Sequence, residues 1–419
     1  MNLYIDPGTG SMLFTVLVGV LGALVYFFRN VLMKAKFAIG RGKPSGEDKQ
    51  EYPIVIFTDS KRYWNLFRPI CDELEKRQQK ALYLTASEDD PALKAEYRYI
   101  RAEFAGKGNR AYARMNMIRA DVVLSSTPGL DVYQWKRSRD VKWYVHIPHG
   151  IYDLTAYRMF GLDYYDAVLL VGSFQKETVR KLEEERNLPE KELTVVGMPY
   201  MDEMLKRKEA EKESEAADQA EGAGTKTVLL ASSWGASSLL NRYQGKIIDA
   251  LLQTDVHIIV RPHPQSYTSE KDLIERLMKE YPESDRLEWD QNDDNYESLK
   301  RADLLISDFS GVIIDYAFVF EKPVIYADIS FDREPYDASW IETPMWRFEV
   351  LKKLGIQLTG ENVDHIGEMV RECLASPVLR AGIRKAREEA WECMGESASR
   401  TADYLIEKCG GGFQEERSE

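Results

Sequence analysis

The chain has 419 residues, more than one typical domain holds, so we expect two domains, each with its own hydrophobic core. Hydrophobic residues make up 44% of the chain and charged residues 30%, a balance that argues against a disordered chain or a membrane protein with many spans. The formal net charge of −13 argues against nonspecific nucleic-acid binding, which needs a basic face, so we expect no nucleic-acid partner.

The first predicted element is an apolar stretch near the amino terminus. No charged residue occurs from Met12 to Phe28, a length adequate for one membrane-spanning helix. The basic residues Arg29, Lys34, Lys36, Arg41 and Lys43 follow before any acidic one. By the positive-inside rule, we expect residues 1–46 to be a single-pass anchor in the cell membrane with the rest of the chain in the cytoplasm. A cleaved signal peptide is the alternative, but no basic leader or convincing cleavage site is present.

Two series of alternating strands and helices follow, each typical of a Rossmann-like domain. In residues 51–204 we expect strands at 52–58, 81–85, 121–125, 142–146, 167–171 and 193–196, with helices at 64–77 and 175–186. Residues 205–226 are predicted to be a charged linker. In residues 227–395 we expect strands at 227–231, 256–260, 304–307 and 323–327, with helices at 239–252, 271–280 and 311–320. Residues 396–419 are predicted to be a carboxyl-terminal helix and tail. The predicted fold is α/β, with two Rossmann-like domains facing a cleft, which is similar to the GT-B architecture.

Three histidines follow short apolar runs that we interpret as buried parallel strands: His146, His149 and His263. Open α/β sheets bind ligands at the carboxyl ends of their strands, so these positions indicate a catalytic cleft. His149 precedes Gly150, which would let a substrate approach closely, and a neutral imidazole can take a proton from an attacking hydroxyl. His146 is the competing base, ranked second because we expect it to belong to the strand and face the core.

A strand-to-helix corner in the second half has the composition of a phosphate site. Ser307, Asp308, Ser310 and Gly311 lie where an apolar strand turns into a helix. Free backbone N–H groups and the helix dipole at such a corner suit a pyrophosphate. The alternative is that Ser310 is merely the N-cap of the helix.

Two further segments of the second half are candidate binding elements. Small residues around Trp234 and Gly235 would let the backbone approach a phosphate, with the indole stacking on a base, although a lone Trp is more often packed in a core or an interface. Arg261 and His263 form a cationic pair at a strand end that would meet a diphosphate. A capping arginine and a histidine with a structural partner are the alternatives.

Together these motifs resemble the CDP-glycerol glycerophosphotransferases of teichoic acid synthesis. The resemblance lies in His149-Gly150, in Arg261-Pro-His-Pro264, and in the run from Ser307 to Tyr316 followed by Lys322-Pro-Val-Ile-Tyr326, and it covers roughly residues 120–330. The sequence departs from the family pattern in two places. Ile151 follows the His-Gly pair where threonine is usual, and Ser232-Ser-Trp234 replaces Pro-Thr-Trp.

The resemblance implies a GT-B fold and a role for each candidate residue. His149 would be the base on the acceptor hydroxyl, and Arg261 with His263 would stabilise the diphosphate as CMP departs. Ser307, Asp308, Ser310 and Gly311 would cradle the phosphates. Gly150, Trp234 and Gly235, which the residue patterns above indicate, complete the predicted substrate-binding residues.

The donor would be a CDP-activated polyol and the acceptor a lipid-linked molecule at the membrane, with no cofactor and no metal ion; the sequence leaves a homo-oligomer possible. A UDP-sugar glycosyltransferase or epimerase is the alternative enzyme. A nonenzymatic envelope scaffold is a third reading.

Overall fold

The computed structural model describes residues 52–215, 225–292, 294–308, 310–328 and 332–410. The predicted membrane anchor, residues 1–46, and the end of the predicted tail, residues 411–419, lie outside the described residues. None of the helices in the described part of the chain combines the length and the apolar composition that a membrane crossing requires. The anchor itself stays a prediction.

Strands and helices alternate along the described chain, which places it in the predicted α/β class. The strands are β1 (Ile54–Thr58), β2 (Ala81–Thr85), β3 (Ile100–Phe104), β4 (Ala120–Ser125), β5 (Val141–His146), β6 (Ala167–Leu170), β7 (Glu192–Val195), β8 (Thr227–Ala231), β9 (His257–Arg261), β10 (Leu287–Trp289), β11 (Leu304–Ser307), β12 (Val324–Ala327) and β13 (Gly355–Leu358). The helices are α1 (Trp64–Lys76), α2 (Asn109–Met115), α3 (Lys176–Arg186), α4 (Pro199–Glu215), α5 (Leu239–Tyr243), α6 (Gly245–Leu252), α7 (Ser266–Ser269), α8 (Lys271–Glu280), α9 (Tyr296–Arg301), α10 (Val312–Phe320), α11 (Trp346–Leu354), α12 (Ile366–Ala375), α13 (Pro377–Ala390) and α14 (Ser397–Gly410).

The strands form two parallel sheets, one in each half of the chain. The first sheet has seven strands in the order β3-β2-β1-β4-β5-β6-β7, and the second has six in the order β10-β9-β8-β11-β12-β13. In each sheet the strand order reverses beside a central strand, between β1 and β4 in the first and between β8 and β11 in the second. Ligands of open α/β sheets bind outside the carboxyl ends of the strands at such a switch point.

The central strands are apolar because helices cover both faces of each sheet. Every residue of β1, from Ile54 to Thr58, is buried, and so is every residue of β11, from Leu304 to Ser307. Parallel strands covered on both faces are near-continuous apolar runs rather than alternating ones. The apolar composition of the central strands determines where the two sheets form. It therefore also determines where the loops at the carboxyl ends of the strands lie.

The two halves share one layer of hydrophobic core. A single cluster joins Ile56 and Leu124 of the first sheet to Leu229 of the second sheet and Tyr316 of α10. The opposite face of each sheet has a cluster of its own. The chain from Tyr52 onward accordingly forms one compact unit.

Two helices connect the halves. The last helix, α14, packs on the first half, where the Tyr404 hydroxyl accepts a hydrogen bond from Trp143 Nε1 at 3.1 Å and Lys408 pairs with Glu192 at 2.6 Å. Helix α4 extends to Glu215, so the first part of the predicted linker, residues 205–226, is helical. Its continuation, residues 216–224, lies outside the described residues.

Candidate active site

A cavity of about 510 Å³ is lined by loops from the carboxyl edges of both sheets. The first half contributes Arg62 and Tyr63, which follow β1, and His149, which follows β5. From the second half come the loops after β8 and β9 and the start of α10. Among the predicted site residues, the cavity lining contains His149, Arg261, His263 and Ser310. The two histidines, on opposite sheets, therefore share one space.

His149 lies between two tyrosine rings. The centroid of the Tyr63 ring is 4.8 Å from that of the imidazole, and the Tyr152 hydroxyl is 3.1 Å from Nδ1 and 3.4 Å from Nε2. The Tyr152 hydroxyl is in turn 2.9 Å from that of Tyr157, which is 2.8 Å from Nε2 of His146. A series of hydrogen bonds thus connects His149 to the protein interior.

The surroundings of His149 and His146, the histidines at the two ends of this series of hydrogen bonds, keep both imidazoles neutral. Burial, and then the positive charge of Arg62, lowers the pKa of His149 to about 4. Burial, and then His149, lowers the pKa of His146 to about 3. His149 therefore has an unprotonated nitrogen at neutral pH, as a general base requires. His146 is the last residue of β5 and is fully buried, so it faces the core as expected and cannot reach a substrate.

The hydrogen bonds of His263 leave its Nε2 as a hydrogen-bond donor. Its Nδ1 is 3.1 Å from the backbone nitrogen of Gln265 and accepts that N–H, which assigns the proton of the neutral ring to Nε2. Burial, and then the charge of Arg62, lowers the pKa of His263, so the neutral form is favoured. An Nε2–H group in the cavity can donate a hydrogen bond to a phosphate oxygen.

Arg261 has a structural partner that the sequence did not reveal. Its guanidinium is buried, lies 2.5 Å from the carboxylate of Asp290, and donates a hydrogen bond to the carbonyl of Asn292 at 2.7 Å. Asp290 balances much of the charge that we expected to meet a diphosphate. Arg261 lines the cavity, but this ion pair makes it a weaker phosphate ligand than the sequence indicated.

In the strand-to-helix corner between β11 and α10, some predicted residues are buried in the protein and one lines the cavity. Ser307 is fully buried, and the buried carboxylate of Asp308 accepts hydrogen bonds from the backbone N–H groups of Ser233 and Leu239, at 3.0 and 2.7 Å. Neither residue lines the cavity, so Asp308 orders the loop after β8 rather than a phosphate. Ser310 does line it, and its Oγ accepts the N–H of Val312 at 3.4 Å. The N-cap of α10 is Gly311, so the N-cap alternative for Ser310 is wrong, while its role at a phosphate stays a prediction.

The predicted glycines and Trp234 lie around the cavity rather than in its lining. A side chain at Gly150 would come within 2.9 Å of the Tyr152 ring, so this glycine makes room for Tyr152, while its role toward a substrate stays a prediction. The N–H of Gly235 is bonded to Glu270 at 2.5 Å, which occupies the donor proposed for a phosphate. Gly311 has open space beside it. Trp234 is 50% exposed, with its ring centroid 6.5 Å from that of His263, which leaves a face for a ligand.

Several lining residues were not predicted from the sequence. Tyr200, on α4, donates a hydrogen bond to the carboxylate of Asp315, on α10, and burial raises the pKa of Asp315 to about 7. Arg62 and Tyr63 follow the central strand beside the switch point of the first sheet. That position was the available signal, because the turn itself has only a polar composition. The described residues contain no group of three or more side chains placed to hold a metal ion.

Two parallel sheets, with a cavity lined from the carboxyl edges of both, give the chain the architecture of the GT-B fold. The family model for CDP-glycerol:poly(glycerophosphate) glycerophosphotransferase matches residues 70–340, more than half of the chain. The chain belongs to this family. Its predicted enzyme class, CDP-glycerol-based glycerophosphotransfer in teichoic acid synthesis, is confirmed with it. Among curated proteins the comparison finds no match.

Solved structures share the fold at low sequence identity. The wall teichoic acid polymerase TagF has a TM-score of 0.55 at 16% identity, over 92% of this chain and 98% of that one. A UDP-GlcNAc 2-epimerase from Methanocaldococcus jannaschii has a TM-score of 0.53 at 15% identity, over 84% of this chain and 99% of that one. A glycosyltransferase from Rickettsia africae ESF-5 has a TM-score of 0.50 at 12% identity, over 87% of this chain and 100% of that one. These likenesses support the predicted GT-B-like fold.

Proposed function

We propose that the cavity transfers glycerol phosphate, or a related polyol phosphate, from a CDP-activated donor to a membrane-linked acceptor of cell-envelope polymer synthesis. One observation carries the proposal: His149 and His263, from opposite sheets, line the same cavity in a chain of this family. Phosphoryl transfer is accelerated mainly by alignment of the reacting groups and by stabilisation of the developing charge. A cavity lined by polar side chains from both sheets can supply both effects.

In the proposed reaction, His149 is the general base. It accepts the proton of the acceptor hydroxyl while that oxygen bonds to the phosphorus that carries the glycerol. The bond from this phosphorus to the bridging oxygen breaks, and CMP leaves with the electron pair. The pKa of His149 is about 4 in the ligand-free protein, and a bound anionic diphosphate would raise it, because negative charge favours the imidazolium. The donor itself thus makes the base stronger.

The second half would bind the diphosphate. Nε2–H of His263 would donate to a phosphate oxygen, and Ser310 with the amino-terminal end of α10 would offer further donors and a favourable dipole. Arg261, which lines the cavity beside its partner Asp290, would add positive charge near the diphosphate. Trp234 would stack on the cytosine base at the edge of the cavity.

Replacing the base tests the assignment directly. We expect His149→Ala to abolish transfer while leaving the melting temperature near that of the wild type, because the side chain lies at a cavity wall. His365→Ala is the matched control, since His365 is an exposed histidine far along the chain. Transfer at the wild-type rate in the His149→Ala variant, measured as CMP release, would remove the proposed base.

The donor is tested by ligand-dependent thermal shifts with CMP, CDP-glycerol, UDP and UDP-sugars. A true ligand at a hundredfold its dissociation constant adds about 2.7 kcal/mol to the free energy of unfolding. We expect the cytidine nucleotides to stabilise the protein and the uridine nucleotides to have a smaller effect. The opposite order would support the UDP-sugar alternative.

The membrane location rests on the sequence from Met12 to Phe28 and the basic residues that follow it. An anchor would confine the enzyme beside its lipid-linked acceptor and raise the effective concentration of that acceptor. We expect a reporter fused to the carboxyl terminus to be active in the cytoplasm. A reporter signal from outside the cell would reject the proposed topology.

A further inference from the structure

Arg62 lies at the part of the first sheet where a ligand is expected. It belongs to the turn Lys61–Tyr63 between β1 and α1, beside the switch point with β4. Its side chain lines the cavity. The guanidinium carbon is 5.0 Å from the centroid of the Tyr63 ring, and that ring is the one packed 4.8 Å from His149. Arg62 therefore stands next to the proposed base.

Arg62 differs from the other arginines of the cavity in its charge balance. The lining contains Arg62, Arg68, Arg207 and Arg261. Three of these have a carboxylate partner: Glu203 lies 3.3 Å from Arg68, Asp294 lies 2.8 Å from Arg207, and Asp290 lies 2.5 Å from Arg261. Among the residues that the structure describes, no carboxylate lies within ion-pair distance of Arg62. Burial raises the pKa of Asp59 and the charge of Arg62 opposes that rise, so the two groups interact beyond ion-pair distance. Within the described ranges no ion pair occupies the guanidinium, which leaves its N–H groups able to bind an anionic ligand.

The charge of Arg62 acts on both walls of the cavity. After burial, it is the largest influence that lowers the pKa of His149 on the first sheet and of His263 on the second. Because Arg62, His149 and His263 line the same cavity, an anionic group bound in that cavity would lie near all three side chains. The planar fork of arginine matches two oxygens of a phosphate, which a point charge such as lysine does not.

We propose that Arg62 binds the donor's diphosphate between the two histidines and stabilises the charge on the phosphoryl group during transfer. This inference rests on the proposed function and adds a catalytic residue from the first half to the phosphate ligands of the second. In the step already described, the acceptor oxygen bonds to phosphorus as CMP leaves with the electron pair of the broken bond. Arg62 keeps its proton throughout and neutralises the oxygens.

The test compares Arg62→Gln, Arg62→Lys and Lys61→Gln in the full chain with CDP-glycerol as donor. Arg62→Gln removes the charge and should lower kcat/KM by about 10²–10³-fold. Arg62→Lys keeps a charge without the fork and should have an intermediate value. Lys61→Gln changes the neighbouring cation, which pairs with Asp89 on the surface, and should match the wild type.

The pH dependence of kcat/KM gives a second readout, which would not change if Arg62 had only a structural role. Because Arg62 lowers the pKa of His149, the acid limb of the kcat/KM profile should move to higher pH in Arg62→Gln and stay in place in Lys61→Gln. If the wild type is active and Arg62→Gln has the same kcat/KM, the role proposed for Arg62 is overturned, while the proposed function still stands. A wild type that neither binds nor turns over CDP-glycerol would overturn the proposed function and this inference with it.

Discussion

The orientation of His149 depends on hydroxyl groups that the sequence motif does not contain. Tyr152 and Tyr157 lie three and eight residues after the histidine and connect it to the buried His146. Because His146 has a pKa of about 3, this series cannot store the proton taken from an acceptor. Its function is to hold the imidazole in place. Tyr152 is accordingly a positioning residue.

Removing one hydroxyl should therefore affect the rate rather than binding. We expect Tyr152→Phe to lower kcat by about 10-fold to 100-fold, because a small misplacement of a catalytic group is costly, with little change in KM. Tyr133→Phe, at an exposed tyrosine of the same half, is the matched control. Steady-state kinetics separate the two parameters. An unchanged kcat would show that the ring alone positions His149.

At the scale of elements, the sequence predicted the interior strands of both sheets and one edge strand, β7, but not the other three edge strands. The predicted bounds of β2, β8 and β11 agree with the structure. The edge strands β3, β10 and β13 were missed. In β3, Arg101 and Phe104 are exposed and the strand has no apolar run, since an edge strand is covered on fewer sides. Apolar runs identify interior strands most readily, because neighbouring elements bury both of their faces.

The candidate site shows the same limit. His149 and His263 were found because a strand end fixes where the next residues go. The partner of Arg261 was not found, because Asp290 lies on the loop after another strand and only the sheet brings the two together. Arg62 was not found because its turn has no pattern that distinguishes a cavity residue from a solvated one.

Helix α10 contains a carboxyl group with an unusual titration. Burial raises the pKa of Asp315 to about 7, well above the value of 3.8 in an unfolded chain. Between these values the folded protein keeps a proton that the unfolded chain releases, so stability falls as pH rises from about 4 to 7. The stability lost over this interval stays lost at higher pH.

An amide at this position should remove the titration. We expect Asp315→Asn to melt above the wild type at pH 8 by roughly 2 °C or more, with a smaller difference at pH 5. The amide oxygen can still accept the Tyr200 hydroxyl. Asp364→Asn, at an exposed carboxylate beside Lys246, is the control and should show no such change with pH. Thermal melts of the wild type and the two variants at both pH values test this prediction. If Asp315→Asn differs from the wild type by the same melting temperature at pH 5 and pH 8, the proposed titration of Asp315 is contradicted.

At the scale of the whole molecule, a segment of the second half packs behind the proposed base of the first half. We name residues 332–345 the strap. Its residue Asp337 is buried, and its carboxylate accepts the N–H groups of Phe160 and Gly161, at 2.7 and 3.2 Å. The N–H of Asp337 donates to the carbonyl of Tyr157 at 2.9 Å, the tyrosine on the hydroxyl series behind His149. The second half thus holds in place the segment of the first half that lies behind the proposed base, His149.

The strap also contributes one carboxylate, that of Asp337, to a buried ion cluster. Arg186 lies 2.5 Å from Asp337 and 2.7 Å from Asp163, with its guanidinium carbon 4.9 Å from the Phe160 ring centroid and 5.0 Å from that of Trp340. Buried charges of this kind add little net stability compared with apolar packing. The loss of one partner is costly, because the remaining charge stays buried and only partly balanced.

Removing the carboxylate should therefore weaken the whole molecule. We expect Asp337→Ala to lower the free energy of unfolding by about 3–5 kcal/mol, because it leaves Arg186 with one partner and two backbone N–H groups with none. Asp337→Asn keeps an acceptor for those groups and should lose less. Asp332→Ala, at an exposed position of the strap, is the control. Urea unfolding measures all three, and a loss below about 1 kcal/mol for Asp337→Ala would mean that the shared core alone joins the halves.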